Sequence, residues 1–337
     1  MPRPLIEQFD VLIRRDPARR GLIGSEPQSR PLCGGHLAQA AAHLAEFAQH
    51  VGLVTGFFVP GGQPPAAETD GPPGTLLLAK ALEAVGIQTT LITDENCAGA
   101  VAAAAEATGF PADKLLVSPH GSTLWRDDFF SNGPGRNLTH LIAIERVGPS
   151  HTSESFRNQP RKGPAPRKEF SAQVPADAYN RCHNMRGEII DDHTSDLYRL
   201  FDDLHRYRPD AKTIGIGDGG NEIGMGSVLW EELQRRLEGE QAGRILCRVA
   251  TDWNIVAGTS NWGGYALAAA TLVLRGQAEV LRDWGREDQQ QVLQHMVTHG
   301  PAVDGMTGRQ EATVDGLPFL TFIQPWEGIR RLLGFED

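Results

Sequence analysis

The segment 215–226 constrains this chain more than any other. It reads Gly-Ile-Gly-Asp-Gly-Gly-Asn-Glu-Ile-Gly-Met-Gly, with six glycines in twelve residues. A β-type segment, 212–216, leads into it, and a helical pattern begins near Ser227. The order strand, tight turn, helix predicts a turn at the carboxyl end of a strand in an open α/β sheet, where ligands bind. The glycines allow close approach of a ligand, and Asp218, Asn221 and Glu222 supply oxygen for a metal or a proton.

This turn does not match the common nucleotide-binding motifs. A Gly-x-Gly-x-x-Gly spacing occurs only over 215–220, and polar residues follow where that motif packs a helix against a strand. No Gly-Lys-Ser or Gly-Lys-Thr follows, which excludes a Walker loop. A simpler interpretation stays open, in which the acids only cap the following helix.

The rest of the chain alternates between strand and helix patterns. Strands are predicted at 51–59, 87–92, 114–117, 139–146, 212–216 and 244–250. They are rich in Leu, Ile and Val without polar alternation, which is typical of strands covered on both faces. The pattern predicts an α/β fold, a mainly parallel sheet with helices on both faces in three αβα layers. We expect an N-terminal helix and connector over 1–35 and a single α/β domain over 36–337, with a polar surface excursion at 148–176.

Charge and composition limit the classes of function that the chain can have. Asp and Glu outnumber Lys and Arg by 42 to 32, for a net charge of -10. This argues against binding to nucleic acid or to an anionic membrane, and it suits a cation-binding cleft. The four cysteines are scattered and predict neither a disulfide framework nor a zinc ribbon. The start has no signal-peptide core and no apolar stretch is long enough for a bilayer, so we expect a soluble cytoplasmic protein. The sequence leaves a homo-oligomer open.

Three further loops carry candidate site residues. Residues 60–74 are rich in Pro and Gly and place Glu68 and Asp70 on either side of Thr69, which favours a functional loop. Ser260 and Asn261 open a predicted helix, either as ordinary N-cap residues or as a second anion-binding helix start. Arg309 lies between two Val-Asp-Gly steps and is a candidate anion anchor.

Several of these stretches together resemble the D-glutamate cyclase C-terminal-domain family. The matching elements, in the order of that family, are Glu68-Thr69-Asp70-Gly71-Pro72-Pro73-Gly74, the block from Gly217 to Gly226, Ser260-Asn261-Trp262-Gly263-Gly264-Tyr265-Ala266-Leu267-Ala268 and Val314-Asp315-Gly316-Leu317-Pro318-Phe319. The resemblance implies lactam formation, in which D-glutamate loses water to give 5-oxo-D-proline. Animal cyclases carry an additional N-terminal domain that this chain lacks, so we expect a stand-alone member.

The roles predicted for the site follow from this chemistry and the residue types. Ring closure needs a neutral amine, an activated carboxyl group and a proton for the departing oxygen. Hard oxygen ligands favour Mn²⁺ or Mg²⁺ over zinc. The predicted catalytic residues are Asp218, Asn221 and Glu222; the predicted substrate-binding residues are Gly219, Gly220, Ser260, Asn261 and Arg309; the predicted metal ligands are Glu68, Asp70, Asp218 and Glu222.

Two other functions use the same parts. A metal-dependent phosphatase would activate water with the ion and hold a small phosphate ester on the Gly-rich turn. A non-catalytic protein that binds small anions would need the glycine N–H groups but no acids facing them.

Overall fold

Six parallel strands form the central sheet of the computed structural model, which describes residues 2–23 and 31–335. The sheet strands are β1 (His50–Thr55), β4 (Gln88–Asp94), β5 (Leu115–Ser118), β6 (His140–Ile144), β7 (Lys212–Gly217) and β8 (Trp253–Val256). Two short antiparallel pairs lie outside it, β2 (Phe58–Val59) with β3 (Ala66–Ala67) and β9 (Thr313–Val314) with β10 (Leu317–Pro318).

Helices connect the strands. They are α1 (Arg3–Ile13), α2 (His36–Phe47), α3 (Pro72–Ala84), α4 (Ala98–Ala107), α5 (Thr123–Ser131), α6 (Ser153–Asn158), α7 (Arg167–Gln173), α8 (Tyr198–Tyr207), α9 (Trp230–Arg236), α10 (Ala242–Ile245), α11 (Ser260–Leu274), α12 (Arg286–His299), α13 (Phe319–Phe322) and α14 (Gln324–Leu332).

Two hydrophobic cores lie on the two faces of the sheet. Successive residues of one strand point to opposite faces, and β6 shows this directly, since Ile142 and Ile144 belong to one core while Leu141 and Ala143 belong to the other. Helices α3 and α11 bury their residues in the first core, and α8 and α9 contribute to the second. The predicted three-layer α/β fold is therefore confirmed.

The order of the strands decides where loops converge. The sheet runs β5-β4-β1-β6-β7-β8, so the chain moves outward from β1 in one direction and then returns to β6 and moves in the other. The crevice between β1 and β6 is the switch point where open α/β sheets bind ligands. Thr55, Ile144 and Ile216 are aligned across β1, β6 and β7, so the loops that follow these strands start side by side.

One predicted strand is wrong. Residues 244–250 were expected to form the last strand, but they begin as the end of α10, and the sheet closes with β8 instead. The apolar residues of this segment are buried for a different reason, because they support the Gly-rich turn. Gly224 and Gly226 both donate their N–H groups to the carbonyl of Val249, and Cys247 donates to that of Gly220.

The polar segment 148–176 contains α6 and α7. Each of these helices buries one aromatic ring, Phe156 and Phe170, and the two rings stack with centroids 4.2 Å apart. Both rings also pack against Trp230 of α9. The segment is thus attached to the second core through aromatic contacts, while most of its basic side chains face outward.

Close contact between α3 and α11 fixes the start of both helices. A Cβ atom on Gly264 would lie 2.8 Å from the carbonyl carbon of Gly74, and one on Gly74 would lie 2.7 Å from Cα of Asn261. Real Cβ atoms do not approach backbone so closely, so the two glycines allow the helix starts to touch. Any side chain here would push Asn261 away from the loop after β1.

We expect Gly264→Ala to lower the stability of the protein by about 1–3 kcal/mol, because the new methyl group overpacks a rigid backbone contact. Gly99→Ala is the matched control, since Gly99 is also helical but its nearest neighbour would lie 3.6 Å away. That variant should be neutral or slightly stabilising. Chemical denaturation measures both, and equal stability of the two variants would contradict the proposed contact.

Among residues 2–23 and 31–335, no helix is both long enough and apolar enough to cross a membrane.

Candidate active site

A cavity of about 330 Å³ opens at the carboxyl ends of β1, β6 and β7. Five acids line it, namely Glu68, Glu145, Glu188, Asp218 and Glu222. The apolar residues and glycines that line it are Phe57, Phe58, Val59, Gly61, Met185, Gly305 and Met306, and its basic lining residues are Arg20 and Arg186. The cavity therefore combines an acidic floor with a partly apolar wall, at the switch point of the sheet.

Three carboxylates meet here: Glu145 and Asp218 line the cavity, and Asp70 is buried beside them. Asp70, Glu145 and Asp218 each offer one oxygen, and these oxygens all lie within 4.8 Å of one another. Asp70 comes from the loop after β1, Glu145 directly follows β6, and Asp218 directly follows β7. The expectation that the loops bring Asp70 close to Asp218 is confirmed. Sequence reasoning missed Glu145, which replaces Glu68 and Glu222 in this group.

The start of α11 holds Asp70. The N–H groups of Ser260 and Asn261 donate to its two carboxylate oxygens at 2.8 and 2.9 Å. The side-chain oxygen of Asn261 accepts from the N–H groups of Gly71 and Gly74. These donors were predicted to bind a substrate carboxylate. In the structure they already bind the protein's own acid, so a substrate could reach them only by displacing Asp70.

The backbone N–H groups of the Gly-rich turn are likewise occupied by a carboxylate of the protein itself. The N–H groups of Gly219 and Gly220 both donate to the carboxylate of Glu222, at 2.8 Å each. The predicted anion-binding backbone therefore binds Glu222 itself, and it holds that side chain in one orientation.

Glu145 has an unusual backbone. Its φ of 47° lies in the left-handed region that residues other than glycine rarely adopt. The carboxylate accepts a hydrogen bond of 2.5 Å from the Ser260 hydroxyl. A Cβ atom on Gly71 would lie 2.7 Å from Cβ of Glu145, so only glycine fits beside it. Such conformations cost energy and are concentrated at functional sites.

Asn221 lies at the inner wall of the cavity and is 1% exposed. Its amide nitrogen donates to the carbonyl of His183 at 2.8 Å, which fixes the orientation of the amide group. Its side-chain oxygen is buried and has no hydrogen-bond partner among the described residues. The free group of Asn221 is therefore its amide oxygen, which can accept a hydrogen bond.

Arg20 is a second residue that sequence reasoning missed. It lies in the connector after α1, its guanidinium forms an ion pair with Asp218, and it donates to Asp315 at 2.7 Å. The carboxylate of Asp16 accepts from the N–H groups of Arg20 and Gly21 and so shapes this connector. The N-terminal segment thus supplies positive charge to the acidic floor.

Arg309, the predicted anion anchor, lies elsewhere. Its side chain is 71% exposed and pairs with Glu311 at 3.6 Å. It does not line the cavity.

Burial and mutual repulsion disfavour ionisation of the acids. Desolvation raises the pKa of Asp70 to about 7, with a further contribution from Asp315, although the N–H groups of Asn261 and Ser260 oppose the shift. Burial also raises the pKa values of Glu68, Glu145 and Asp218 well above their ordinary range, and neighbouring acids add to each shift. Burial raises the pKa of Glu222 as well, and Arg20 and the turn N–H groups oppose it.

These pKa shifts predict a pH dependence of stability. An acid whose pKa is raised on folding contributes stability below its unfolded pKa of about 4, and this contribution is lost as the pH rises through the folded value, about 7 for Asp70. A bound divalent cation would remove the loss by neutralising the carboxylates. We expect the increase in melting temperature caused by Mn²⁺ to grow between pH 6 and pH 8. An increase independent of pH in thermal denaturation would contradict this account.

Fold and site together define a three-layer α/β protein with a buried acidic cluster at the switch point of its sheet. A family model described as D-glutamate cyclase-like, C-terminal, matches residues 10–161 and 173–327. The chain therefore belongs to the D-glutamate cyclase-like C-terminal family, which confirms the resemblance found in the sequence. It is 28% identical over 349 residues to the human (Homo sapiens) protein named D-glutamate cyclase, mitochondrial, covering 93% of this chain and 49% of that protein. The chain spans about half the length of the curated relative that it matches.

Proposed function

We propose that the protein catalyses the intramolecular dehydration of D-glutamate to 5-oxo-D-proline, assisted by Mn²⁺ or Mg²⁺. The observation that carries the proposal is the convergence of Asp70, Glu145 and Asp218 beside a cavity that Glu145 and Asp218 line, in a member of this family. The relative named D-glutamate cyclase supports the choice of substrate.

The three carboxylates fit a divalent cation. They come from three separate loops, they are all buried, and burial together with their mutual repulsion disfavours their ionisation unless a cation is present. Their oxygen atoms are hard ligands of the kind that Mg²⁺ and Mn²⁺ prefer. A bound cation would supply Lewis acidity to the γ-carboxyl group of the substrate.

Ring closure moves protons from nitrogen to oxygen. A bond forms between the α-nitrogen and the carbon of the γ-carboxyl group, and a bond between that carbon and one of its oxygens breaks. The ammonium group loses two protons and the departing oxygen gains two to leave as water, so no external acid or base is consumed. The reaction therefore needs a side chain that can both accept and donate a proton beside the substrate.

Glu68 is our candidate for this proton carrier. It lines the cavity and lies outside the group of three carboxylates. Among residues 2–23 and 31–335, no hydrogen bond or ion pair involves its carboxylate, whereas Asp70 and Glu222 are held by backbone N–H groups. Burial raises its pKa, so its carboxylate takes up a proton more readily than an exposed one would. Glu68 would accept a proton from nitrogen and donate one to oxygen.

Asn221 would orient the amine. Its unpartnered amide oxygen can accept a hydrogen bond from the substrate ammonium group, and this contact would compensate for the burial of that oxygen. Glu222 would hold the Gly-rich turn in shape without taking part in proton transfer, because Gly219 and Gly220 already bind both of its oxygens.

Product analysis tests the proposal. The purified protein is incubated with D-glutamate, L-glutamate or p-nitrophenyl phosphate, with and without Mn²⁺, and 5-oxoproline and nitrophenol are measured. We expect 5-oxoproline from D-glutamate, stimulated by Mn²⁺. Release of nitrophenol with no 5-oxoproline would overturn the cyclase assignment in favour of a phosphatase.

A further inference from the structure

A short hairpin, residues 183–189, forms part of the cavity wall. His183 and Ile189 pair across it, and Gly187 with φ of 80° allows its tight turn. Met185 and Arg186, near its tip, line the cavity. The hairpin thus carries one basic side chain, Arg186, and one acid, Glu188, to the cavity.

The hairpin is firmly held. The side-chain oxygen of Asn184 accepts from the N–H groups of Arg186 and Glu188 at 2.9 and 3.0 Å, and its amide nitrogen donates to the Glu188 carboxylate. Asn221 donates to the carbonyl of His183 at the base of the hairpin. The Gly-rich turn and the hairpin are therefore linked directly, and a group bound by both would have a fixed orientation.

Arg186 is the cation that remains available. Arg20 and Arg186 are the two basic residues that line the cavity within the described part of the chain. Arg20 is already paired with Asp218 and Asp315. Arg186 has an exposed side chain, and no ion pair to it is found among the described residues. Its guanidinium lies near Gly61, where a Cβ atom would be 3.6 Å from Nη1, so it reaches across the mouth of the cavity.

A dicarboxylate substrate needs such a group. The acidic floor repels a second negative charge, and one substrate carboxylate is not consumed in the reaction. An arginine can bind a carboxylate through two parallel hydrogen bonds, which fixes position as well as charge. We propose that Arg186 binds the unreactive carboxylate of the substrate at the mouth of the cavity and thereby selects amino dicarboxylates. This assignment rests on the proposed function for the identity of the substrate.

Arg186→Gln tests it, with Arg309→Gln as the matched control, because Arg309 is also exposed but lies outside the cavity. Glutarate, a dicarboxylate that cannot cyclise, is the probe, and its affinity for the Mn²⁺-saturated protein is measured by calorimetry. Loss of a charged hydrogen-bonded pair predicts roughly 10- to 100-fold weaker binding to Arg186→Gln, with Arg309→Gln unchanged. With D-glutamate, KM should rise by a similar factor while kcat changes little. The melting temperature increase caused by Mn²⁺ should stay at the wild-type value.

Wild-type affinity in Arg186→Gln, equal losses in both variants or no binding of glutarate to the wild-type protein would overturn the assignment. If the wild-type protein forms no 5-oxoproline yet its glutarate affinity depends on Arg186, the proposed function fails while the carboxylate-binding role of Arg186 stands.

Discussion

Glu145→Gln is expected to lower 5-oxoproline formation by roughly 100-fold or more, the loss typical of removing a group that stabilises charge at a reacting centre. The substitution keeps the shape of the side chain and its acceptor for the Ser260 hydroxyl. It removes one of the three carboxylates that we propose as metal ligands. The metal-free variant should be at least as stable as the wild-type protein at pH 8, because a buried charge repelled by Asp218 and its neighbours is gone.

Glu145 gives a cleaner test than Asp218. Asp218→Asn would also leave Arg20 without one of its two acid partners and so mix two effects. Glu311→Gln is the matched control, since Glu311 lies outside both the cavity and the group of three. It should retain activity and the melting temperature increase caused by Mn²⁺. Wild-type turnover by Glu145→Gln would contradict the role of this carboxylate.

Glu68→Gln is expected to give a different result, with turnover reduced by about 100-fold or more and metal binding retained. The proposed proton carrier is lost, and general acid and base groups contribute on this scale, while Asp70, Glu145 and Asp218 stay intact. Steady-state kinetics and the melting temperature increase caused by Mn²⁺ separate the two effects. Loss of both properties together would assign Glu68 to the metal site instead.

The stability of Glu222→Gln is to be compared with that of Glu68→Gln. A glutamine places an amide NH₂ against the N–H group of Gly219 or Gly220, where the carboxylate now accepts from both. An unsatisfied buried donor costs about 1–3 kcal/mol. We therefore expect Glu222→Gln to lower stability, which Glu68→Gln should not do. Equal melting temperatures for the wild-type protein and Glu222→Gln would contradict the structural role of Glu222.

The alternation of strand and helix patterns was enough to predict the three-layer fold, because period and composition are local properties. The predicted last strand failed for a physical reason. Residues 244–250 are as apolar as a strand, but they are buried beneath the Gly-rich turn, and only the structure shows which partner an apolar segment covers.

The candidate site was predicted only in part, because the sequence shows which residues follow a strand but not which strands are neighbours. Asp70 and Asp218 follow strands directly or closely, so their approach could be predicted. Glu145 also ends a strand, and an acid at that position was the signal that could have found it. That β6 lies between β1 and β7 depends on strand order, which the sequence does not reveal. Arg20 is one of several arginines in its connector, and no local pattern distinguishes it.

The acceptors of several backbone N–H groups also could not be predicted from the sequence. The N–H groups of the Gly-rich turn and of the α11 start were expected to bind the carboxylates of a substrate. The carboxylates that they bind belong to Glu222 and Asp70 of the protein itself. The short spacing between Gly219 and Glu222 is a local signal for the first of these contacts. The second joins residues 190 positions apart and could not be predicted.

The central claim is that Asp70, Glu145 and Asp218 together hold one divalent cation. Anomalous diffraction from a crystal of the protein grown with Mn²⁺ tests it most directly. We predict one strong anomalous peak per chain, about 2.1 Å from a carboxylate oxygen of each residue, the distance typical of small hard cations. A crystal saturated with Mn²⁺ that shows no peak there, or a peak bound by other residues, would contradict the claim.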